Sequence, residues 1–297
     1  MSNVSIHAFP DDAAAAQHFA AALGETASFV ATHVFDDGEI APRTPPSTKT
    51  VIVYRSLANP NAKLVELMLA CDAWRRAGVE RLVLVAPYLC YMRQDAVFAS
   101  GEPLSQKVIG TLLGERFERI VTVDAHLHRT RRIDEVFVGV ECENLHAADA
   151  IATHLRASSL PENLLVLGPD SESGPWVQDL ARRISREGAV LSKERRGDHE
   201  VSVTLPDLIH IEGRPVLLLD DICTSGGTLA TAARAILANG ASSVDAIVTH
   251  ALFGQEAAVR LGQAGVRTVQ SSDSCVHPTN TIPLASLLAD AVRKEWT

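Results

Sequence analysis

Apolar positions along the chain fall into short β-branched runs separated by longer stretches with helical spacing. Val51, Ile52, Val53 and Tyr54 are consecutive and apolar, which predicts a strand buried on both faces. Over residues 61–77, Leu64, Leu67, Met68, Cys71 and Trp74 recur at three- and four-residue intervals. That spacing predicts a helix with one apolar stripe, and Gly78 stands where its C-cap is expected. A strand over 82–86, a helix over 103–117 and a strand over 120–123 ending at Asp124 continue the series. The pattern then starts again. A strand over 164–167 leads to Gly168-Pro169-Asp170, a helix is expected over 174–187, and a strand over 189–191. A strand over 216–219 runs into Asp220 and Asp221, followed by a helix over 227–238, a strand over 244–249 and a closing helix over 282–293. The proline-rich stretch 41–47 and the charged stretch 192–200 are expected to be loops.

Strand–helix alternation of this kind predicts an α/β fold of mainly parallel sheets flanked by helices. Two halves of similar size follow, meeting near 144–147, with domains expected over 1–145 and 146–297.

Composition narrows the class further. Of 297 residues, 46% are apolar and 21% charged, enough apolar side chain for a sizeable core. The net charge of −9 argues against a nucleic-acid partner, which needs a basic surface, but leaves room for a local pocket that takes small phosphates. The five cysteines are odd in number and no pair forms a C-x-x-C motif. They read as reduced thiols of a cytoplasmic protein, with no disulfide framework and no zinc cluster. Residues 1–10 lack a basic region followed by an apolar run, so no signal peptide is expected. No apolar run approaches the roughly 18 residues of a membrane span, so no membrane association is expected.

In open parallel sheets, ligands bind beyond the carboxyl ends of the strands. Those ends hold most of the chemistry-bearing residues of this chain. The most informative is Val216-Leu-Leu-Leu-Asp220-Asp221-Ile-Cys-Thr224-Ser225-Gly226-Gly227-Thr228. An apolar strand, two acids, and a turn of hydroxyls and glycines opening a helix can offer backbone N–H groups to one phosphate at the positive helix end. The acids then stand where the hydroxyls of a sugar carrying that phosphate would lie. Elsewhere, Arg93 can fork onto phosphate oxygens, and Gln94 can read a base or a phosphate. Lys193 and Arg195 alternate, so in an extended segment they point the same way and can face one phosphoryl group.

These segments resemble a known family. Asp220-Asp221-x-x-Thr224-Ser225-Gly226-Gly227-Thr228 resembles the loop that binds phosphoribosyl pyrophosphate (PRPP) in phosphoribosyltransferases and PRPP synthetases. Phe35-Asp36-Asp37-Gly38-Glu39 resembles the F-S-D-G-E motif of the synthetases, which belongs to their ATP site and is supplied across a subunit interface. Pro87-Tyr88-x-x-Tyr91-x-Arg93-Gln94-Asp95 resembles a second synthetase signature. Val123-Asp124-Ala125-His126 is similar to the family's V-D-L-H, whose histidine is associated with magnesium, and Asp170 follows Gly168-Pro169 as in the family's G-P-D. His128 has no counterpart there and reads as a surface or packing residue. Lys193-Glu194-Arg195-Arg196 resembles the family's basic catalytic loop.

The resemblance spans about residues 35–288, with the motifs in family order. It implies two phosphoribosyltransferase-like domains and the conversion of ATP and ribose 5-phosphate to PRPP and AMP. It further implies Lys193 and Arg195 as catalytic, and Phe35, Asp37, Gly38, Glu39, Arg93, Gln94 and Asp95 at ATP. Asp220, Asp221, Thr224, Ser225, Gly226, Gly227 and Thr228 are implied at ribose 5-phosphate, and His126 and Asp170 at Mg²⁺. At least a homodimer is implied, because the Phe35 segment serves a neighbour's site. Two other readings stay open: a phosphoribosyltransferase that consumes PRPP, needing only the Asp220–Thr228 loop, and a non-catalytic subunit that assembles with a true synthetase.

The chain also departs from the pattern. Between Asp95 and Pro103 it lacks the Arg-rich segment that the long bacterial and eukaryotic synthetases tie to control by phosphate and ADP, and so resembles the shorter archaeal-type branch. Asp170-Ser-Glu-Ser-Gly-Pro-Trp176 replaces the common D-x-G-G, and Thr224 stands where many members carry Asp.

Overall fold

The computed structural model describes residues 3–196, 200–204 and 209–296, with the backbone path alone over 193–196 and 200–204. Contacts gather the chain into two compact units, one of Met1–Leu145 with Ser274–Val276 and Pro283–Thr297, the other of His146–Asp273 with His277–Ile282.

In the first unit six strands run in the spatial order Ala27–Phe29, Val4–Ala8, Thr50–Tyr54, Arg81–Ala86, Arg119–Val123, Glu141–Leu145. Every neighbouring pair is parallel. The inner strands are apolar on both faces, as parallel strands covered by helices must be. Helix Pro60–Arg76 turns Leu64, Leu67, Cys71 and Trp74 into the core, with Met68 packed at its edge. A hairpin of Ala31–Val34 and Ile40–Arg43 stands apart as a two-stranded ribbon. The expected loop 41–47 therefore begins inside a strand.

The second unit repeats the plan with the order Glu187–Val190, Leu165–Gly168, Pro215–Cys223, Ser243–Ala251, Val266–Ser272, Asn280–Ile282, again parallel throughout. Helix Gly227–Ala238 forms as expected and buries Leu229, Ala232, Ala233 and Ile236. The helix expected over 174–187 ends at Arg183. Ser185 adopts φ +54°, which breaks the helix and frees Glu187–Val190 to pair with Leu165–Gly168. The expected loop 192–200 opens as a strand, Ser192–Arg196, antiparallel to Glu200–Thr204.

The closing helix is shorter than expected, Ala285–Val292, with a 3₁₀ turn Arg293–Trp296 after it, and Ile282 ends a strand. This tail belongs to the first unit, so the expected assignment of all residues 146–297 to one domain needs correction. Helix Ala285–Val292 buries Leu288, Ala289 and Val292 and packs on helix Ala13–Ala22, and an electrostatic tie joins the tail to the sheet. Arg119 is buried in the first sheet, and a buried cation requires partners. Glu295 accepts from its Nη1 at 2.9 Å, Glu143 from its Nη2 at 2.8 Å, and the Ala291 carbonyl from Nη2 at 2.9 Å. Arg81 Nε also donates to Glu295, at 2.7 Å.

Burial would raise the Glu295 pKa, but these guanidinium groups hold it below its ordinary value. A depressed carboxylate stabilises the fold above its unfolded pKa and loses that contribution as pH falls through its folded pKa. Glu295→Ala leaves Arg119 buried and short of a counter-charge. It should cost about 3 kcal/mol of unfolding free energy at neutral pH, read by urea denaturation, with the gap to wild type narrowing as the pH drops into the range where carboxylates protonate.

Candidate active site

In the second unit the strand carrying the acidic pair is longer than its apolar run. It spans Pro215–Cys223 and takes both acids into the ladder, because the neighbouring strand Ser243–Ala251 continues alongside with Asp220 opposite Val248 and Ile222 opposite His250. Asp220 and Asp221 therefore project from opposite faces of a strand, and are not loop residues. Asp221 is buried at 5% exposure, while Asp220 is partly buried and accepts from the Asp221 amide at 3.1 Å. Burial first, then the nearby charges of Asp221 and Asp170, push the Asp220 pKa well above the ordinary carboxylate value.

Beyond Cys223 the chain makes a tight bend into helix Gly227–Ala238. Gly226 takes φ +70°, and a Cβ there would lie 3.3 Å from Leu261 Cγ and 3.4 Å from Ala257 Cβ. The bend thus needs glycine on two counts, backbone sign and packing against helix Gln255–Gln263. Gly227 differs. A Cβ there meets only Ser225 Oγ among the described residues, at 3.6 Å, an ordinary contact. The N-cap residue Gly226 has no side chain to cap the helix, but Ser225 Oγ accepts from the Gly227 amide at 3.4 Å. Thr224, Ser225 and Thr228 are exposed around this positive helix end. Arg260 Nη1 holds the bend by donating to the Ser225 carbonyl at 2.8 Å. Its only signature in the sequence is a surface pair with Glu256 four residues earlier, which marks no site. Asp170 caps the short turn Ser171–Ser173, accepting from the Glu172 amide at 3.2 Å.

In the first unit, Phe35, Asp36, Asp37, Gly38 and Glu39 form the tip of the hairpin and all are exposed. Phe35 N–H donates to the Glu39 carbonyl at 2.8 Å, Asp37 accepts from the Glu39 amide at 3.0 Å, and Gly38 turns the tip at φ +88°. The base is anchored on helix Pro60–Arg76, where Thr32 Oγ1 donates to Glu66 at 2.5 Å. Glu66 in turn accepts from buried Arg55 at 2.5 Å, and Arg55 reaches Asp12 at 3.1 Å.

Arg93 and Gln94 are exposed on the bend that follows strand Arg81–Ala86. Asp95 points elsewhere. Its side chain is 1% exposed and accepts from the Arg129 amide at 2.8 Å and from the Arg129 guanidinium at 2.9 Å. Burial raises its pKa, but these bonds win and hold it below the ordinary value. Asp95 thus ties the Arg93 bend to the loop after strand Arg119–Val123. That loop opens at Asp124, buried at φ +38°, and carries half-buried His126 and exposed His128, whose rings lie 6.4 Å apart. His126 lies in the first unit and Asp170 in the second. Among the described residues, no group of three or more His, Cys, Asp or Glu side chains gathers to hold a metal.

Lys193 and Arg195 fall on strand Ser192–Arg196, and their side chains lie outside the described residues. All five cysteines are free, and burial pushes Cys71, Cys90, Cys223 and Cys275 up to about 12, too high for thiolate chemistry at neutral pH. Among the described residues, no helix is long and apolar enough to cross a membrane.

Residues 4–116 match the model for the N-terminal domain of ribose phosphate pyrophosphokinase, and residues 141–275 match the phosphoribosyl transferase domain. Ribose-phosphate pyrophosphokinase of Methanopyrus kandleri is 34% identical over 260 residues, 87% of this chain and 88% of the relative. Ribose-phosphate pyrophosphokinase 2 of Archaeoglobus fulgidus is 31% identical over 87% of this chain and 89% of its own. Among solved structures, phosphoribosylpyrophosphate synthetase from Mycobacterium smegmatis superposes with a TM-score of 0.84 at 25% identity, covering 99% of this chain and 98% of that one.

Neighbouring glycines of the bend should behave differently. Gly226→Ala forces a left-handed alanine against Leu261 and should cost about 1–2 kcal/mol. Gly227→Ala makes only an ordinary contact and should change stability by less than about 0.5 kcal/mol. Denaturant unfolding of the two variants decides this. Asp220→Asn removes a charge crowded by two others and should raise stability by on the order of 1 kcal/mol; a lower melting temperature than wild type would contradict the crowding.

Proposed function

The chain belongs to the ribose-phosphate pyrophosphokinase family, which makes PRPP and AMP from ATP and ribose 5-phosphate, and on that premise we propose how its residues divide the work. The relatives and the solved neighbour that span nearly the whole chain are synthetases. Neither the PRPP-consuming reading nor the non-catalytic one gains support from them.

The second unit takes ribose 5-phosphate. The observation that carries this reading is the strand–turn–helix corner: Gly226 turns the chain into helix Gly227–Ala238, and Thr224, Ser225 and Thr228 are exposed at its positive end. Backbone N–H groups and hydroxyls there accept a dianionic monoester at the positive end of the helix. Asp220, with Asp221 behind it, takes the ribose hydroxyls as donors. A carboxylate crowded by like charge gains most from partners that donate hydrogen bonds or carry positive charge.

The first unit takes the nucleotide. Arg93 forks onto polyphosphate oxygens and Gln94 reads the base or a phosphate, while Phe35, Asp37, Gly38 and Glu39 approach from the hairpin tip of a neighbouring copy in a homo-oligomer. Asp95 serves this side by fixing the Arg93 bend, since its own carboxylate is committed to Arg129.

The implied cofactor is Mg²⁺. Its preference is for oxygen donors, commonly one or two carboxylates completed by substrate phosphate oxygens and water. Asp220, Asp221 and Asp170 are neighbouring carboxylates, oxygen donors of the kind that ion takes. In the second unit Asp170 would supply a carboxylate; in the first, His126, a nitrogen donor, would act beside phosphate and water oxygens. When bound, the ion neutralises polyphosphate charge as it builds.

In the reaction, the ribose 1-hydroxyl forms a bond to the β-phosphorus of ATP as the bond from that phosphorus to the α-phosphate oxygen breaks. AMP leaves with the bridging oxygen, and the hydroxyl proton passes to solvent. No covalent enzyme intermediate is needed, so positioning and charge stabilisation carry the rate. Lys193 and Arg195, alternating along strand Ser192–Arg196, neutralise the transferred group.

The test is release of AMP from Mg-ATP and ribose 5-phosphate. Lys193→Ala should lower the rate by roughly 10²–10³-fold, with ribose 5-phosphate binding and the circular dichroism spectrum unchanged. Wild-type protein that releases no AMP with ribose 5-phosphate, at any phosphate concentration, would sink the assignment.

A further inference from the structure

Gln106 is the second residue of helix Ser105–Gly114 and is 2% exposed, an expensive place for a primary amide. Each of its polar groups is committed. Its backbone N–H donates to the Gln94 carbonyl at 3.1 Å, and its side-chain Nε2 donates to the Met92 carbonyl at 3.2 Å. Its Oε1 accepts from Thr130 Oγ1 at 2.7 Å. Met92 and Gln94 flank Arg93, so this one residue grips the backbone on either side of Arg93. Its third bond reaches the loop that carries His126.

We propose that Gln106 is a positioning residue for nucleotide binding, locking the Arg93 bend to the His126 loop so that Arg93 is presented in one orientation. The inference rests on the assignment of Arg93 to the nucleotide made above.

Three physical points support it. First, Arg93 is exposed and makes no ion pair among the described residues, so its backbone is what aims it. A flexible guanidinium reaches bidentate geometry on phosphate oxygens only if its Cα is held. Second, the bend is unfavourable on its own, because Tyr91, two residues before Arg93, sits at φ +63°. Ties from outside the bend must hold it. Third, the position demands an amide. A carbonyl on one side and a hydroxyl on the other need a donor and an acceptor in one side chain. A carboxylate would repel the Met92 carbonyl, and an ammonium could not accept from Thr130. The Asp95–Arg129 pair joins the same two segments from the far side, so the bend is held at both ends. Leucine in place of Gln106 would fill the space equally well, so packing alone does not account for a glutamine.

The test uses the full chain and two ligands titrated separately by calorimetry: the Mg²⁺ complex of a non-transferable α,β-methylene analogue of ATP, and ribose 5-phosphate. Gln106→Leu keeps the volume and removes both side-chain ties. The nucleotide Kd should rise roughly five- to thirtyfold, as expected for buried hydrogen bonds lost around an unsatisfied carbonyl. The ribose 5-phosphate Kd should stay within about twofold of wild type, since loss of a tie in one unit is not uniform binding loss. Thr130→Val removes one tie at a less buried position and should weaken nucleotide binding in the same direction by a smaller factor. It also keeps the proposal testable if Gln106→Leu does not fold. An unchanged nucleotide Kd in either folded variant overturns the proposal, and so does parallel weakening of both ligands with a falling melting temperature. A wild-type protein that binds ribose 5-phosphate and no nucleotide overturns the nucleotide assignment itself, and the wild-type titration alone reveals it.

Discussion

Like charges crowded at the end of a parallel strand are the constraint around which the second unit is built. Asp220 lies between burial and two neighbouring carboxylates, Asp221 and Asp170, a state the fold would discard if stability were the only demand. A few residues on, the chain turns at Gly226 into a helix whose N-cap residue brings no side chain of its own. One strand–turn–helix corner thus offers negative charge on one side and positive polarity on the other. A phosphorylated sugar has the complementary pair, a dianion at one end and hydroxyl donors at the other. The parallel sheet makes this possible, because its rungs hold the strand rigid through Cys223 and place the bend at its carboxyl end.

The first unit solves a different problem with the same architecture. Its loops carry exposed groups, and buried polar ties hold those loops in place. Asp95 and Arg129 join the two loops at neighbouring strand ends, and Glu66 with Arg55 seats the hairpin on a helix. Arg119 performs the same service for the chain terminus. Each of these buried charges finds opposite charge and a fixed hydrogen bond, which is the condition under which burial is tolerable. Burial raises the pKa of the Cys71 and Cys223 thiols, so neither is poised as a thiolate.

Legibility followed the physics. Strands whose both faces are buried, such as Thr50–Tyr54 and Arg81–Ala86, announced themselves as unbroken apolar runs, and helix Pro60–Arg76 by its stripe. Elements with short or polar surfaces did not. The charged strand Ser192–Arg196 carries nothing apolar to mark it, and its pairing with Glu200–Thr204 follows from no local period. The helix ending at Arg183 was overextended because Ser185 is no conventional breaker; its φ of +54° is imposed by the fold. Among site residues, those in local motifs were visible and those acting at a distance were not. Arg260 and Arg129 do their work through contacts thirty or more positions away in sequence, 35 for the Arg260–Ser225 bond and 34 for the Arg129–Asp95 bond.

By itself, the order of residues determined the alternation of strands and helices, the two-part plan and the motifs by which the chain resembles its family. These depend on periodicity and on neighbours a few positions apart, which a linear chain encodes directly. Tertiary structure decided that both acids of the pair lie within a strand, that Asp95 faces Arg129, and that the tail after Ile282 joins the first unit. Those outcomes turn on which distant charge or backbone group satisfies a buried one. That choice is made only when the chain has folded and water has been excluded, so no local pattern contains it.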